Sequence, residues 1–334
     1  MTNSFHALWA ASPTNDPSEF SQIKTEVRET VVSDLTAGDV VLRAQYSGLN
    51  YKDALAVSGR SKIFRHLPLI PGIDVAGVVI ESKSSLFREG DSVLINGANL
   101  GEKLCGGFSQ YVRVPADILI PLPKGLNSRE AMILGTAGFT AALAIHQLEK
   151  NGLRPTKGPV LVTGATGGVG SCALSLLNQL GYEAQALTRR PEQQGWLELC
   201  GASKVIQLSE LTTRPLESVV WAASIDNVGG EILEYILPRI DLWGSVASIG
   251  LARSPELHTT LFPFILRGVN LLGVSSNNCP QKLRVELWNK LASEMKPLNL
   301  EHILHEEVGL HGLQAAAEKV IQGKHLGRIL VELT

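Results

Sequence analysis

Charge of either sign is scarce and balanced in this chain of 334 residues. Its 30 Lys and Arg face 32 Asp and Glu, for a net charge of −2. No local run of Lys and Arg makes up for this, so the electrostatic attraction that nucleic-acid binding draws on is missing. Nucleic acid is excluded as an expected partner. Cysteine is sparse too. Cys105, Cys172, Cys200 and Cys279 are scattered, with neither metal-ligand spacing nor a disulfide framework, which reads as reduced thiols in the cytoplasm. Cys105 sits in a glycine-rich loop, but a nucleophile needs a lowered pKa, and a bystander thiol is expected. No apolar run approaches the ~18 residues that span a bilayer, so no membrane is expected. The first residues, Met-Thr-Asn-Ser-Phe-His, lack the basic and apolar regions of a secretion signal. Internal repeats are absent as well. What remains, 44% hydrophobic and 19% charged, is an ordinary globular composition. The length suffices for two domains at roughly 100–200 residues each.

One stretch organises the rest. Val160 to Val162 is a short apolar, β-branched run that suits a buried parallel strand. Gly164, Gly167, Gly168 and Gly170 then force a tight turn, and a small apolar helix runs from about Val169 to Leu180, where Gly181 stops it. Strand, glycine turn and helix make a phosphate cradle: the backbone approaches a pyrophosphate, and the free N–H groups of the helix start meet its charge. Ala165 holds the first position of the G-x-G-x-x-G pattern; Gly167 and Gly170 fit the other two.

The first ~125 residues read as short strands. Val40 to Tyr46 is one, a short helix covers Asp53 to Val57, and Leu69 to Ile80 is a bent strand. Further strands are Ser92 to Ile95 and Phe108 to Val114, on either side of a glycine-rich loop from Asn96 to Gly107. Composition changes near Asn127, which has capping-box spacing with Glu130 at the head of a helix reaching about Lys150. Gly135-Thr-Ala-Gly138 interrupts that helix, at ~1 kcal/mol per glycine, and leaves room for a cofactor ring or another helix. From Pro159 strands and helices alternate as in a parallel α/β domain. The strands are Val160–Val162, Glu183–Leu187, Lys204–Leu208, Ser218–Ala223, Ser245–Ile249 and Asn270–Val274; helices cover Pro191–Cys200 and Gly230–Leu237. Helices Gln281–Met295 and Leu313–Ile321 and a last strand, Ile329–Leu333, follow.

An NAD-binding unit ends its second strand in a carboxylate, about 20 residues past the glycines, that holds the adenosine ribose. Here Thr188-Arg189-Arg190 stands there instead. Guanidinium pairs well with phosphate, so NADPH is expected over NADH.

Taken together, Ser47-Gly-Leu-Asn-Tyr-Lys-Asp53, Ile70-Pro-Gly-Ile-Asp-Val-Ala-Gly77, Gly106-Gly-Phe-Ser-Gln-Tyr111 and the glycine turn resemble the medium-chain dehydrogenase/reductase superfamily, in its quinone-reductase branch. Leu49 to Leu55, Gly135-Thr-Ala-Gly-Phe-Thr-Ala141 and Pro263-Phe-Ile-Leu-Arg267 resemble, more closely, the YhdH/acrylyl-CoA reductase family. The resemblance implies an α/β fold: a Rossmann doubly wound parallel sheet plus a GroES-like, mainly-β catalytic domain. Its expected bounds are 1–126 for the catalytic domain, 127–275 for the NADPH-binding domain, and 276–334 for a segment returning to the first. A homodimer is implied too. Carried over residue by residue, cofactor contacts fall on Tyr51, Thr166, Gly167, Gly168, Val169 and Gly170, and on Thr188, Arg189 and Arg190. Leu251, Ile265 and Ser276 approach the nicotinamide half. A basic contact of relatives is Leu208 here and is not carried over. Zinc-dependent members place a cysteine where Asn50 to Asp53 stand, and a histidine and glutamate where Ile73 and Asp74 stand; a zinc-free member is expected.

The implied reaction is NADPH-dependent reduction of an activated C=C bond, with acrylyl-CoA as substrate. Tyr51, a phenol following a turn, is the candidate proton donor or positioning group, with packing on the cofactor as its alternative. Asn50 and Asp53 are lesser candidates, and Arg65 and His66 could meet a CoA phosphate. A quinone or broad enone reductase, or a non-catalytic NADPH-binding protein, are the competing readings.

Overall fold

The computed structural model describes residues 4–208, 211 and 214–334. Backbone contacts divide it into two units. Unit 1 holds the chain up to Thr136 with Asn277–Ala292 and Leu304–Thr334; unit 2 holds Ala137–Ser276 and Ser293–Ile303. The chain therefore leaves the first unit about ten residues later than the expected boundary, inside a helix, and residues 293–303 belong with the second.

Unit 1 is built on strands. β1 (Phe5–Ala11) and β2 (Lys24–Thr30) form an antiparallel ribbon. β3 (Val40–Leu49) ends at Asn50, which opens the short helix α1 (Tyr51–Val57). β4 (Asp74–Ser82), β5 (Ser92–Asn96), β6 (Tyr111–Val114) and β7 (Ile120–Pro121) follow. Val40, Leu42, Val75, Val79, Val93 and Ile95 bury completely against one another, each worth about 1.5–3 kcal/mol relative to exposure. The expected strand from Leu69 begins only at Asp74. Gly72 has φ +106°, and its missing Cβ would lie 2.7 Å from the Phe108 nitrogen, so the chain from Pro71 bends across the glycine loop instead of pairing. The expected strand from Phe108 likewise starts at Tyr111.

α2 (Ser128–Lys150) opens on the expected capping box: Asn127 N donates to Glu130 Oε2 at 3.0 Å, and Glu130 N to Asn127 Oδ1 at 2.8 Å. Gly135, at φ +51°, kinks it. By length and composition this helix is apolar enough to cross a membrane, contrary to the reading that no run approaches that length. It is a core helix, most of its apolar length being buried inside the protein.

In unit 2, β8 (Val160–Thr163) leads into α3 (Gly168–Gln179). After these come β9 (Ala184–Leu187), α4 (Gln194–Leu199), β10 (Lys204–Ile206), β11 (Trp221–Asp226), α5 (Gly230–Ile236), β12 (Ile240–Ser248), α6 (Phe262–Arg267) and β13 (Asn270–Gly273). All six strands run parallel, in the order β10-β9-β8-β11-β12-β13. That is the 3-2-1-4-5-6 order of a dinucleotide-binding sheet. The strand expected at Ser218–Ala223 lies three residues later, where Trp221 to Asp226 are all buried; Ser218 to Val220 are exposed. Pro191–Gln193 form a 3-10 turn, and α4 begins at Gln194.

The C-terminal part supplies α7 (Gln281–Leu291), β14 (Leu304–Val308), α8 (Leu313–Ile321) and β15 (Arg328–Glu332) to unit 1. β15 lies antiparallel to β3, Leu330 opposite Gly48, and completes the sheet β14-β15-β3-β4-β5-β7. α7 ends at Leu291, short of Met295. Strand β14 and helix α6 have no counterpart among the expected elements.

Candidate active site

The glycine turn in unit 2 has the form of a phosphate cradle. Gly164 lies at φ +56°, and Gly167 N donates to Gly164 O at 2.9 Å, closing the turn. The first helical bond runs from Ser171 N to Gly167 O, so the N–H groups of Gly168, Val169 and Gly170 have no acceptor within the helix. No side chain caps this end and no acidic residue stands in its first turn. A Cβ on Gly170 would lie 2.4 Å from Gly164 O and 2.7 Å from Ala165 Cα. Glycine there is what lets the helix sit against the turn.

Thr188, Arg189 and Arg190 follow β9, whose C-terminal end lies beside that of β8. Thr188 is buried and its hydroxyl accepts the Arg190 N–H at 3.0 Å. Arg189 is exposed, whereas Arg190 makes an ion pair with Glu192, Nε to Oε1 at 3.7 Å. Leu251 follows β12, and a Cβ on Gly229 would lie 3.3 Å from its Cα. These segments meet at the carboxyl ends of β8, β9, β11 and β12, where open α/β sheets bind their ligands. Ser276 lies just past β13. Ile265, on α6, is 71% exposed. At the same sheet end, Asp226 accepts from Thr163 Oγ1 (2.6 Å) and Gly229 N (2.9 Å); burial pushes its carboxyl up. That pair fixes the β8 and β11 ends and was not legible from the glycine pattern.

In unit 1, Tyr51 stands 51% exposed at the first position of α1, on a turn braced by buried charge. Asp53 is 1% exposed. Its Oδ2 accepts from Asn50 N (2.9 Å) and Asn50 Nδ2 (3.0 Å), and its Oδ1 from Ile73 N (2.9 Å). Burial and then the neighbouring Asp74 charge push its carboxyl up to about 7, against the hydrogen bonds. Asp74 is wholly buried. It accepts from Asn50 Nδ2 at 2.8 Å, Thr136 N at 2.8 Å and Thr136 Oγ1 at 2.5 Å. Burial raises its pKa; Arg328, with Nη2 3.9 Å away, opposes this. Arg328, also buried, donates to Ile133 O, Leu49 O and Asn50 Oδ1. A Cβ at Gly135 of α2 would meet this Asp74–Arg328 pair, at 2.6 Å from Asp74 Oδ2 and 2.8 Å from Arg328 Nη2. Asp74 and Arg328 were not among the expected site residues; the signal for Asp74 was a carboxylate inside an otherwise apolar run, Val75-Ala76 following.

His66 engages the Lys103 carbonyl at 2.9 Å and Arg65 N donates to Glu102 O, so Arg65 and Lys103 are exposed neighbours. Cys105 is buried. Among the described residues no group of three or more His, Cys, Asp and Glu is placed to hold a metal ion.

Strand order, glycine cradle and arginine pair define an NADP(H)-dependent oxidoreductase with an accompanying mainly-β domain. Residues 36–124 match the alcohol dehydrogenase GroES-like domain. The chain is 43% identical over 336 residues to YhfP of Bacillus subtilis, named for a quinone oxidoreductase, covering 100% of both. It is 41% identical to the acrylyl-CoA reductase AcuI of Ruegeria pomeroyi, over 94% of this chain and 96% of that one. The structure of the Salmonella enterica oxidoreductase yhdH in complex with NADP superposes with TM-score 0.93 at 41% identity, covering 98% and 100% of the two chains. That of Bacillus subtilis yhfP, with NAD bound, gives 0.94 at 43% identity, covering 99% and 100%. The chain belongs to the medium-chain dehydrogenase/reductase superfamily and, within it, to the YhdH/acrylyl-CoA reductase family.

Proposed function

We propose that the protein reduces the C=C bond of an enoyl thioester with NADPH, acrylyl-CoA to propanoyl-CoA being the best-supported case. The observation that carries this reading is the combination of an arginine pair, with no carboxylate at the end of β9, and full-length likeness to an acrylyl-CoA reductase. Bound NADPH supplies the hydride that adds to the β-carbon. The N–H groups of Gly168, Val169 and Gly170 hold the pyrophosphate, with Thr166 and Gly167 shaping the turn, and Arg189 meets the 2′-phosphate. Leu251, Ile265 and Ser276 serve the nicotinamide half. Negative charge builds on the thioester oxygen, and a donor aimed at that oxygen supplies much of the rate. Tyr51 is that donor or the source of the α-carbon proton; its phenol is exposed and its backbone is fixed by Asn50 and Asp53. No metal takes part: Asn50 to Asp53, Ile73 and Asp74 replace the ligands of zinc-dependent members, and the cation beside Asp74 is Arg328.

The protein acts in the cytoplasm, as four buried cysteines that form no disulfide favour, and forms a homodimer through unit 2. Leu242 and Trp243 on β12, 61% and 76% exposed, and Leu271 on the edge strand β13, 38% exposed, support that assembly. NADPH oxidation followed in parallel with acrylyl-CoA, crotonyl-CoA and a simple quinone tests the function. Turnover confined to the thioesters is expected. Turnover with quinone alone favours the reading that the name of YhfP carries, and cofactor binding without turnover makes the protein a sensor.

A further inference from the structure

We infer that Asp74 is a positioning residue for this reaction, acting through Asn50 to hold Tyr51 in place; the inference rests on the role proposed above for Tyr51. Asp74 joins three segments that are distant in sequence. Asn50 ends β3, Arg328 begins β15 and Thr136 follows the kink of α2, and all three converge on one carboxylate that is 0% exposed. Such a buried ionic cluster is an expensive way to fill a core, since apolar side chains of the same volume hold a fold as well or better. What it adds is fixed geometry. The Asn50 side chain is held at both ends: Oδ1 accepts from Arg328 Nη1 at 3.1 Å, while Nδ2 faces Gly48 O (3.2 Å), Asp53 Oδ2 (3.0 Å) and Asp74 Oδ2 (2.8 Å). Arg328 Nη1 also holds the Leu49 carbonyl, at 3.2 Å. The next residue along the chain is Tyr51. Its phenol reaches out from a turn whose Asn50 side chain is held on both sides, and Asp74 is one of the groups, with Arg328 and Asp53, that bind the turn to the rest of unit 1.

The glycines around the cluster follow the same logic. A Cβ at Gly48 would lie 2.5 Å from Arg328 Nη2 and 3.3 Å from Asp74 Oδ2, and one at Gly135 would lie 2.6 Å from Asp74 Oδ2. The backbone on both sides has given up side chains to let the pair in.

The test is a double-mutant cycle on kcat in the NADPH-loaded enzyme, with whichever substrate the wild type turns over best. Asp74→Asn is expected to lower kcat about 30-fold, because a displacement below 1 Å suffices for that, and to change the Kd for NADPH far less than kcat. In a Tyr51→Phe background the same substitution is expected to cost less than about threefold, since no phenol remains to be misplaced. Equal losses in both backgrounds overturn the inference and leave Asp74 a purely structural residue. A Tyr51→Phe enzyme with full kcat overturns the Tyr51 reading itself, a result visible in that one variant. A wild type that turns over nothing overturns both. Should Asp74→Asn fail to fold, Thr136→Val carries the same cycle. It deletes one hydroxyl bond to Asp74, and the expected loss is about fivefold in kcat, again absent in the Tyr51→Phe background.

Discussion

Gly135 is without a side chain at the point where a Cβ would stand 2.6 Å from Asp74 Oδ2 and 2.8 Å from Arg328 Nη2. Its φ of +51° and ψ of −153° belong to a region that L-residues avoid. Gly135→Ala thus meets two obstacles, a backbone strain and a collision with a buried ion pair that cannot give way. It is expected to destabilise unit 1 by about 3 kcal/mol or more. Thermal unfolding measures it; a melting temperature equal to wild type would show that the kink relaxes freely.

The ionisation of Asp53 gives a pH signature. Its pKa in the folded protein is raised to about 7, above the value of a free aspartate, so the folded state holds a proton that the unfolded state has lost. Its contribution is therefore favourable at low pH and is lost as pH rises from about 4 towards 7. Asp53→Asn cannot accept from Asn50 N, Asn50 Nδ2 and Ile73 N together, and it is expected to cost about 1–3 kcal/mol at pH 5. The slope of stability between pH 5 and pH 7 should nonetheless become shallower. Denaturant midpoints for both proteins at three pH values decide it; parallel slopes would assign the wild-type dependence to other groups.

Much of unit 2 was legible in the sequence because its signals are local. A glycine turn between an apolar strand and a small-residue helix needs only its own ~20 residues to declare itself. Asn127 and Glu130 likewise made their capping box three residues apart. The buried cluster of unit 1 could not be read that way. Its members, Asn50, Asp74, Thr136 and Arg328, are brought together by sheet register: β15 lies against β3 with Ile329 opposite Leu49, and β4 lies on the other side of β3. Nothing short of that register says that Asp74 meets a cation. Strand ends failed for a related reason. Leu69 to Ile73 has the composition of a strand, but Pro71 and the left-handed Gly72 carry it across the loop at Gly106 to Phe108.

Glu192 divides the labour of the two arginines. It pairs with Arg190 at 3.7 Å, which leaves Arg189 as the more available cation after β9. Arg189→Ala is expected to lose about 1.5–3 kcal/mol of NADPH binding, a charge-assisted hydrogen bond, and to leave NADH binding within about twofold. Arg190→Ala should cost less. Glu192→Gln should tighten NADPH by about two- to fivefold, the reach of an exposed ion pair. Quenching of protein fluorescence by each cofactor measures all three. Equal losses of NADPH and NADH in Arg189→Ala would place the arginine outside the 2′-phosphate site.

Arg65 and Lys103 offer a way to tell a thioester reductase from a general enone reductase. The two are neighbours because Arg65 N donates to Glu102 O at 2.9 Å and the His66 ring engages the Lys103 carbonyl at 2.9 Å. Lys52 closes the same loop through its ion pair with Glu102 at 2.5 Å, so a patch of positive charge is held on an ordered loop. A CoA thioester carries phosphates that this patch would attract; a small enone carries none. Arg65→Glu changes the patch by two charges. It is expected to raise KM for acrylyl-CoA by about fivefold at low salt, roughly the worth of one screened interaction of ~1 kcal/mol at the surface. The effect should shrink as ionic strength shortens the Debye length. KM for a neutral enone should stay unchanged at any salt. If both substrates respond alike, the patch is a solvated surface and CoA is held elsewhere.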